Sequence, residues 1–184
     1  MGRNQTESND AESGSADRIT LFRDNDKNGV ADERYTFLDN LNQPFGMTLL
    51  DGHFYVANTD AIMRFPYENG ANTIEAEGVK IHDLPSGGYN HHWTRNLMVN
   101  NDKSRILFTI GSSSNVGEHG MDKEQRRAKI LSINPDGSDE QVFASGIRNP
   151  NGLDYNPVTG ELWTAVNERD ELGPQLVPDY LTSV

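Results

Sequence analysis

Ile147-Arg148-Asn149-Pro150-Asn151-Gly152-Leu153, followed by Thr159-Gly160 and then Leu162-Trp163-Thr164-Ala165-Val166-Asn167, is the third statement of one pattern. Leu41-Asn42-Gln43-Pro44-Phe45-Gly46-Met47 leads in the same way to Asp51-Gly52 and Phe54-Tyr55-Val56-Ala57-Asn58. His92-Trp93-Thr94-Arg95-Asn96-Leu97 leads to Asp102-Lys103 and Ile106-Leu107-Phe108-Thr109-Ile110-Gly111. With Met47, Leu97 and Leu153 as markers, the steps are 50 and 56 residues, the range of propeller blades or of another stacked array. In each unit a polar segment bearing Gly or Pro precedes a short apolar strand, a turn, and a second strand richer in aromatic and β-branched residues, as in an antiparallel meander. Turns that recur by chance in any all-β protein are the rival reading; agreement of turn, strand and spacing favours the repeat. The predicted class is therefore all-β, a β-propeller, whose inner strands start at a common channel. His92 and the pair Arg148-Asn149, from different units, are expected to converge there.

A length of 184 residues suits one domain with an adequate core. A closed propeller needs at least about four blades of roughly forty to fifty residues, and about three are visible. The chain is thus expected to be the front half of something longer, with residues 1–17 a disordered polar leader and 18–184 a partial propeller. The leader is rich in Ser, Asn, Asp and Glu and lacks the apolar core of a signal peptide. The net charge of −12 disfavours nucleic acid, which needs a basic footprint. Cysteine is absent, which excludes disulfides and thiolate metal sites. No window approaches the roughly eighteen apolar residues of a membrane span.

Along the chain, Arg18 to Phe22 and Tyr35 to Leu38 read as strands around Asp24-Asn25-Asp26-Lys27-Asn28-Gly29. Oxygen side chains at alternate positions (Asp24, Asp26, Asn28) before a glycine build the first half of a calcium loop. The acidic twelfth ligand of an EF-hand is missing, since Tyr35 stands there, so a bare hairpin turn and a β-hairpin calcium loop both remain open. Phe54 to Asn58 and Ala61 to Phe65 form the next hairpin, Val79 to His82 a further strand, and Ala128 to Ile133 a strand closed by the turn Asn134-Pro135-Asp136-Gly137. The stretches 66–78 and 112–125 read as irregular excursions, and no amphipathic helix is predicted.

The densest polar cluster is Asn90-His91-His92-Trp93-Thr94-Arg95-Asn96. A histidine titrates near neutrality and in a channel can take a proton from a substrate hydroxyl. Neighbouring residues of an extended segment point to opposite sides, so one of His91 and His92 is expected to reach the channel. A structural histidine is the plain alternative. Zinc is disfavoured because His53, His82 and His119 are scattered. The Arg148 guanidinium suits a planar anionic or quinonoid partner, or else an ion pair between blades. Asn167 to Glu171 lie on a loop whose oxygens can hold a hard cation, or form a solvated charged turn.

Taken together, His92 to Leu97, Thr109-Ile110-Gly111, Ile130 to Gly137, Arg148 to Leu153, and Leu162-Trp163 through Asn167-Glu168 follow the order of the soluble quinoprotein sugar dehydrogenases. Asn42 to Met47, Tyr55 to Asp60 and Asn167 to Tyr180 resemble more closely the L-sorbosone dehydrogenase branch, related to the pyranose dehydrogenases that use pyrroloquinoline quinone (PQQ). The resemblance runs from about Arg18 onward. It implies a six-bladed propeller, of which this chain holds about three blades, with PQQ and calcium at the channel mouth and an aldose or sugar aldehyde as substrate. By position, His92 is similar to the base that removes the sugar hydroxyl proton, and Arg148 and Asn149 to groups that contact the cofactor's oxygens. Main-chain carbonyls near Asp170 and Glu171 would hold the calcium. The resemblance also implies a periplasmic or secreted enzyme, and a fragment that is inactive alone. His91 stands where glucose-oxidising relatives carry an aspartate, so His92 is expected to lack a carboxylate partner. A calcium-dependent propeller lactonase and a non-catalytic binding propeller are the alternatives.

Overall fold

The computed structural model describes residues 15–88, 90–173 and 176–184; most of the expected leader, residues 1–14, lies outside them. Among the described residues thirteen strands form four antiparallel sheets. A two-stranded ribbon, β1 (Ile19–Arg23) and β2 (Glu33–Leu38), comes first. The first four-stranded meander follows: β3 (Met47–Leu50), β4 (His53–Ala57), β5 (Ala61–Pro66) and β6 (Val79–Asp83). The second has β7 (Leu97–Val99), β8 (Ile106–Ile110), β9 (Lys129–Ile133) and β10 (Gln141–Ser145). The third sheet has three strands, β11 (Asn149–Tyr155), β12 (Leu162–Asn167) and β13 (Tyr180–Ser183). Among the described residues the only helical element is a 3-10 turn, Met121–Glu124, so no helix there is long and apolar enough to cross a membrane.

The sequence repeat and the sheets coincide. β3, β7 and β11 open the three meanders, and each pairs with the second strand of its own sheet so that equivalent residues meet: Met47 with Val56, Leu97 with Phe108, Leu153 with Thr164. Register thus brings the ends of β4, β8 and β12 to the face where β3, β7 and β11 begin. The starting strands of consecutive sheets touch, β3 with β7 and β7 with β11. Main-chain bonds tie these corners together: Gly46 N donates to Arg95 O at 2.8 Å, and Ser112 N to Arg148 O at 2.7 Å.

Side chains of a strand alternate between faces, and here both faces are covered. On β4, Tyr55 and Ala57 join Leu97, Ile106, Phe108, Ile110, Leu131 and Ile133 in a core between the first and second meanders. Phe54 and Val56 turn the other way, to Phe37, Leu38 and Leu41 of the ribbon side. On β8, Leu107 leaves its neighbours to pack with Ile130 against Ile147, which precedes β11, and against Leu162 and Val166 of β12. All five β8 residues are buried, which is why that strand reads as a continuous apolar run. The three meanders are therefore stacked face to face in chain order, as propeller sectors are, and they form an open arc, not a closed ring.

Candidate functional site

The sheet corners between the second and third meanders enclose a cleft of about 270 Å³ lined by, among others, His91, His92, Arg148, Asn149, Asn167 and Asp170. The residues that sequence singled out in separate repeats thus share one cavity. A larger hollow of about 570 Å³ lies between β2, β5 and residues 73–78; no His or Arg lines it, so size alone does not locate the chemistry.

His92 is 7% exposed. Its Nδ1 lies 2.8 Å from the Ser112 carbonyl oxygen, which can only accept, so Nδ1 carries the proton and Nε2 keeps a lone pair. Ser112 Oγ lies 3.1 Å from the same nitrogen and gives its own proton to Ser114 O. Burial pushes the ring's pKa down to about 4, opposed by the Ser112 bond and helped by the charge of Arg148. The imidazole is neutral at ordinary pH, in a fixed tautomer. Gly111 makes this placement possible: a Cβ there would stand 2.4 Å from Asn149 Oδ1 and 2.5 Å from His92 Cβ.

Arg148 uses all the N–H groups of its guanidinium on this protein. Nε donates to Asn115 O at 2.8 Å, and Nη1 to Asn167 O and Glu168 O at 3.1 and 2.6 Å. Nη2 donates to Asn115 Oδ1 at 2.8 Å and to Asp170 Oδ2 at 3.2 Å. The side chain staples the 112–125 excursion to the loop after β12. Its most exchangeable bond is the one to Asp170, whose side chain is 63% exposed. Asn149 is buried, with Oδ1 lacking any partner.

The loop carrying His91 to Thr94 is wound on Arg95, which is fully buried. Its guanidinium donates to His92 O, Thr94 O, Pro85 O and Asn90 Oδ1. Burial and the neighbouring Arg127 push its pKa down to about 9. Sequence reading assigned no role to Arg95, Ser112, Asn115 or Arg127; Arg95 lies in the polar cluster 90–96, Ser112 and Asn115 in the 112–125 excursion and Arg127 just after it, where no periodicity marks burial.

On the 170 loop, Asp170 O accepts from Asn115 Nδ2 at 3.4 Å, Asp170 Oδ2 lies 3.6 Å from His91 Nε2, and Glu171 has φ 72°. Residues 174 and 175 lie outside the described residues. Asp179 accepts from Glu168 N and Asn167 Nδ2. Far from the cleft, on the β1–β2 loop, Asp24, Asp26 and Asp32 bring carboxylate oxygens within 4.8 Å of one another. Asn28 takes a different part: its N–H donates to Asp24 and Asp26, and its Oδ1 accepts from Val30 N. Bonds from Gly29 N and, to a lesser degree, Asn28 N hold the Asp24 carboxyl below its ordinary range. Asp32 was not among the residues expected on that loop.

Known proteins share this fold of β-meanders stacked in an open arc. A carbohydrate-active enzyme of family AA12 from Trichoderma reesei superposes with a TM-score of 0.72 at 17% identity, over 90% of this chain and 46% of that one. The holo PQQ domain of pyranose dehydrogenase from Coprinopsis cinerea gives 0.69 at 15% identity, over 90% of this chain and 42% of that one. An uncharacterized protein of Borreliella burgdorferi is 27% identical over 161 residues, 82% of this chain and 41% of its relative. The chain therefore spans less than half the length of each. The TrAA12-like family model matches residues 11–178, and the chain belongs to that family.

Proposed function

We propose that this chain forms the base-bearing part of a quinoprotein sugar dehydrogenase that oxidises an aldose or a sugar aldehyde of the sorbosone type. The observation that carries it is His92: buried, neutral, its proton committed to Ser112 O and its ring in the wall of the cleft. PQQ, when bound, supplies the two-electron acceptor for the hydride leaving the sugar carbon. His92 Nε2 takes the hydroxyl proton that is lost with it. The unpartnered Oδ1 of Asn149, a residue that lines the cleft, supports a polar group bound against this wall. Arg148 would bind an oxygen of that group by exchanging its Asp170 bond, and main-chain carbonyls at Asp170 and Glu171 would face the calcium. Likeness to an AA12 enzyme and to a pyranose dehydrogenase PQQ domain supports the reading, as does membership of the family. Work outside the cytoplasm, periplasmic or secreted, belongs to the same proposal.

A calcium-dependent lactonase would need carboxylates converging on one ion in the cleft. Asp170 is instead turned to Arg148 and Asp179 to Glu168 N. The test uses the whole protein that contains this sequence, reconstituted with PQQ and calcium. Aldose-dependent reduction of an artificial dye, abolished in His92→Gln, is expected. Dye reduction that survives His92→Gln, or lactone hydrolysis without quinone, would overturn the assignment. Quenching of Trp93, which lines the cleft, reports quinone binding independently of turnover.

A further inference from the structure

The peptide unit joining Ser112 to Ser113 is bonded at both ends. Its carbonyl oxygen accepts the His92 Nδ1–H at 2.8 Å. Its N–H donates to Glu124, at 3.0 Å to Oε1 and 2.9 Å to Oε2. Glu124 is 9% exposed and ends the 3-10 turn, in an excursion from which the proposed reaction takes no catalytic group. An amide whose N–H is bonded to an anion is polarised, and its oxygen becomes a stronger acceptor. Carboxylate, peptide and imidazole thus stand in single file. The same segment is held on other sides: Ser113 O accepts from His91 N at 3.0 Å, and Gly111 O from Arg127 Nη1 at 3.5 Å. Arg127 is itself buried.

We propose that Glu124 is the positioning carboxylate of His92, acting through the Ser112–Ser113 peptide where a side-chain carboxylate would otherwise touch the ring. The proposal rests on the assignment of His92 as the base. An acceptor on the second nitrogen of a working histidine fixes its tautomer and raises its basicity. Glu124 does both from one peptide away. If Glu124 merely tied the 3-10 turn to the end of β8, removing its charge would leave the imidazole unaltered.

The whole protein that contains this sequence, labelled with ¹⁵N-histidine and free of quinone, calcium and sugar, is studied by NMR, with His92 assigned by its loss in His92→Gln. The wild type should show the Nδ1–H tautomer with a downfield Nδ1 proton. Glu124→Gln preserves shape and an oxygen for the Ser113 N–H but removes the charge. Its Nδ1 proton should move upfield, and the other tautomer should gain population. Glu124→Asp, one methylene shorter, should shift the same way. In the whole reconstituted enzyme kcat should fall about tenfold in Glu124→Gln, with KM unchanged. Unaltered His92 signals in either folded variant, or loss of folding in both, would overturn the relay. Because the NMR readout needs neither quinone nor sugar, an intact relay in a protein that reduces no dye would count against the assigned reaction alone.

Discussion

His92 is buried without a charge partner, and its titration follows from that. The ring is unprotonated above about pH 4, so the acid limb of kcat/KM in the whole enzyme should fall near pH 4, not near the ordinary value of about 6.5. The stability effect has a definite sign. The folded-state pKa is depressed, so between about 6.5 and about 4 the unfolded chain binds more protons than the folded one, and stability falls as pH is lowered through that window. Chemical denaturation of wild type and His92→Gln should show this extra loss in the wild type alone. At Gly111, alanine would meet Asn149 Oδ1 at 2.4 Å and His92 Cβ at 2.5 Å. Gly111→Ala should lower stability by about 1–3 kcal/mol and abolish quinone quenching of Trp93, measured by urea titration and fluorescence.

At the scale of elements, the repeat was legible because turn chemistry and strand alternation are local. Met47, Leu97 and Leu153 were read as equivalent and do fall on β3, β7 and β11. Boundaries slipped where hydrogen bonding decided them: β2 starts at Glu33, two residues before the apolar run, because Glu33 pairs with Arg23. Glu124 and Ser112 were illegible. Their meaning depends on a 3-10 turn folding back over the end of β8, a non-local contact that leaves no period in the sequence; the one available cue was an acidic residue beside Arg126-Arg127 in a polar stretch. Asp32 joins Asp24 and Asp26 only because the β1–β2 register closes the loop. The turn after β9 tests how meanders interlock. Gly137 has φ 90°, and a Cβ there would stand 1.9 Å from Ile81 O of β6. Gly137→Ala should cost more than about 1 kcal/mol through backbone strain and this clash together, while the exposed Gly160→Ala, with φ 73° but open space, should cost less; paired melts check the order.

For the molecule as a whole, stability is shared between neighbouring sheets and not owned by any one of them. Phe108 is fully buried in the core that the first and second meanders build jointly. Phe108→Ala should cost about 3–5 kcal/mol and, because both sheets lose packing at once, should lower one cooperative transition without splitting it, as calorimetry would show. The same joint construction governs which substitutions the protein can absorb. The atom that orients His92 is a main-chain oxygen of residue 112, and every amino acid carries one. Natural variation can therefore drift at 112 without erasing that contact, whereas the neighbouring glycine at 111 has no such latitude. Across divergent descendants, inheritance should protect a backbone shape here more strictly than the identity of the residue that supplies it.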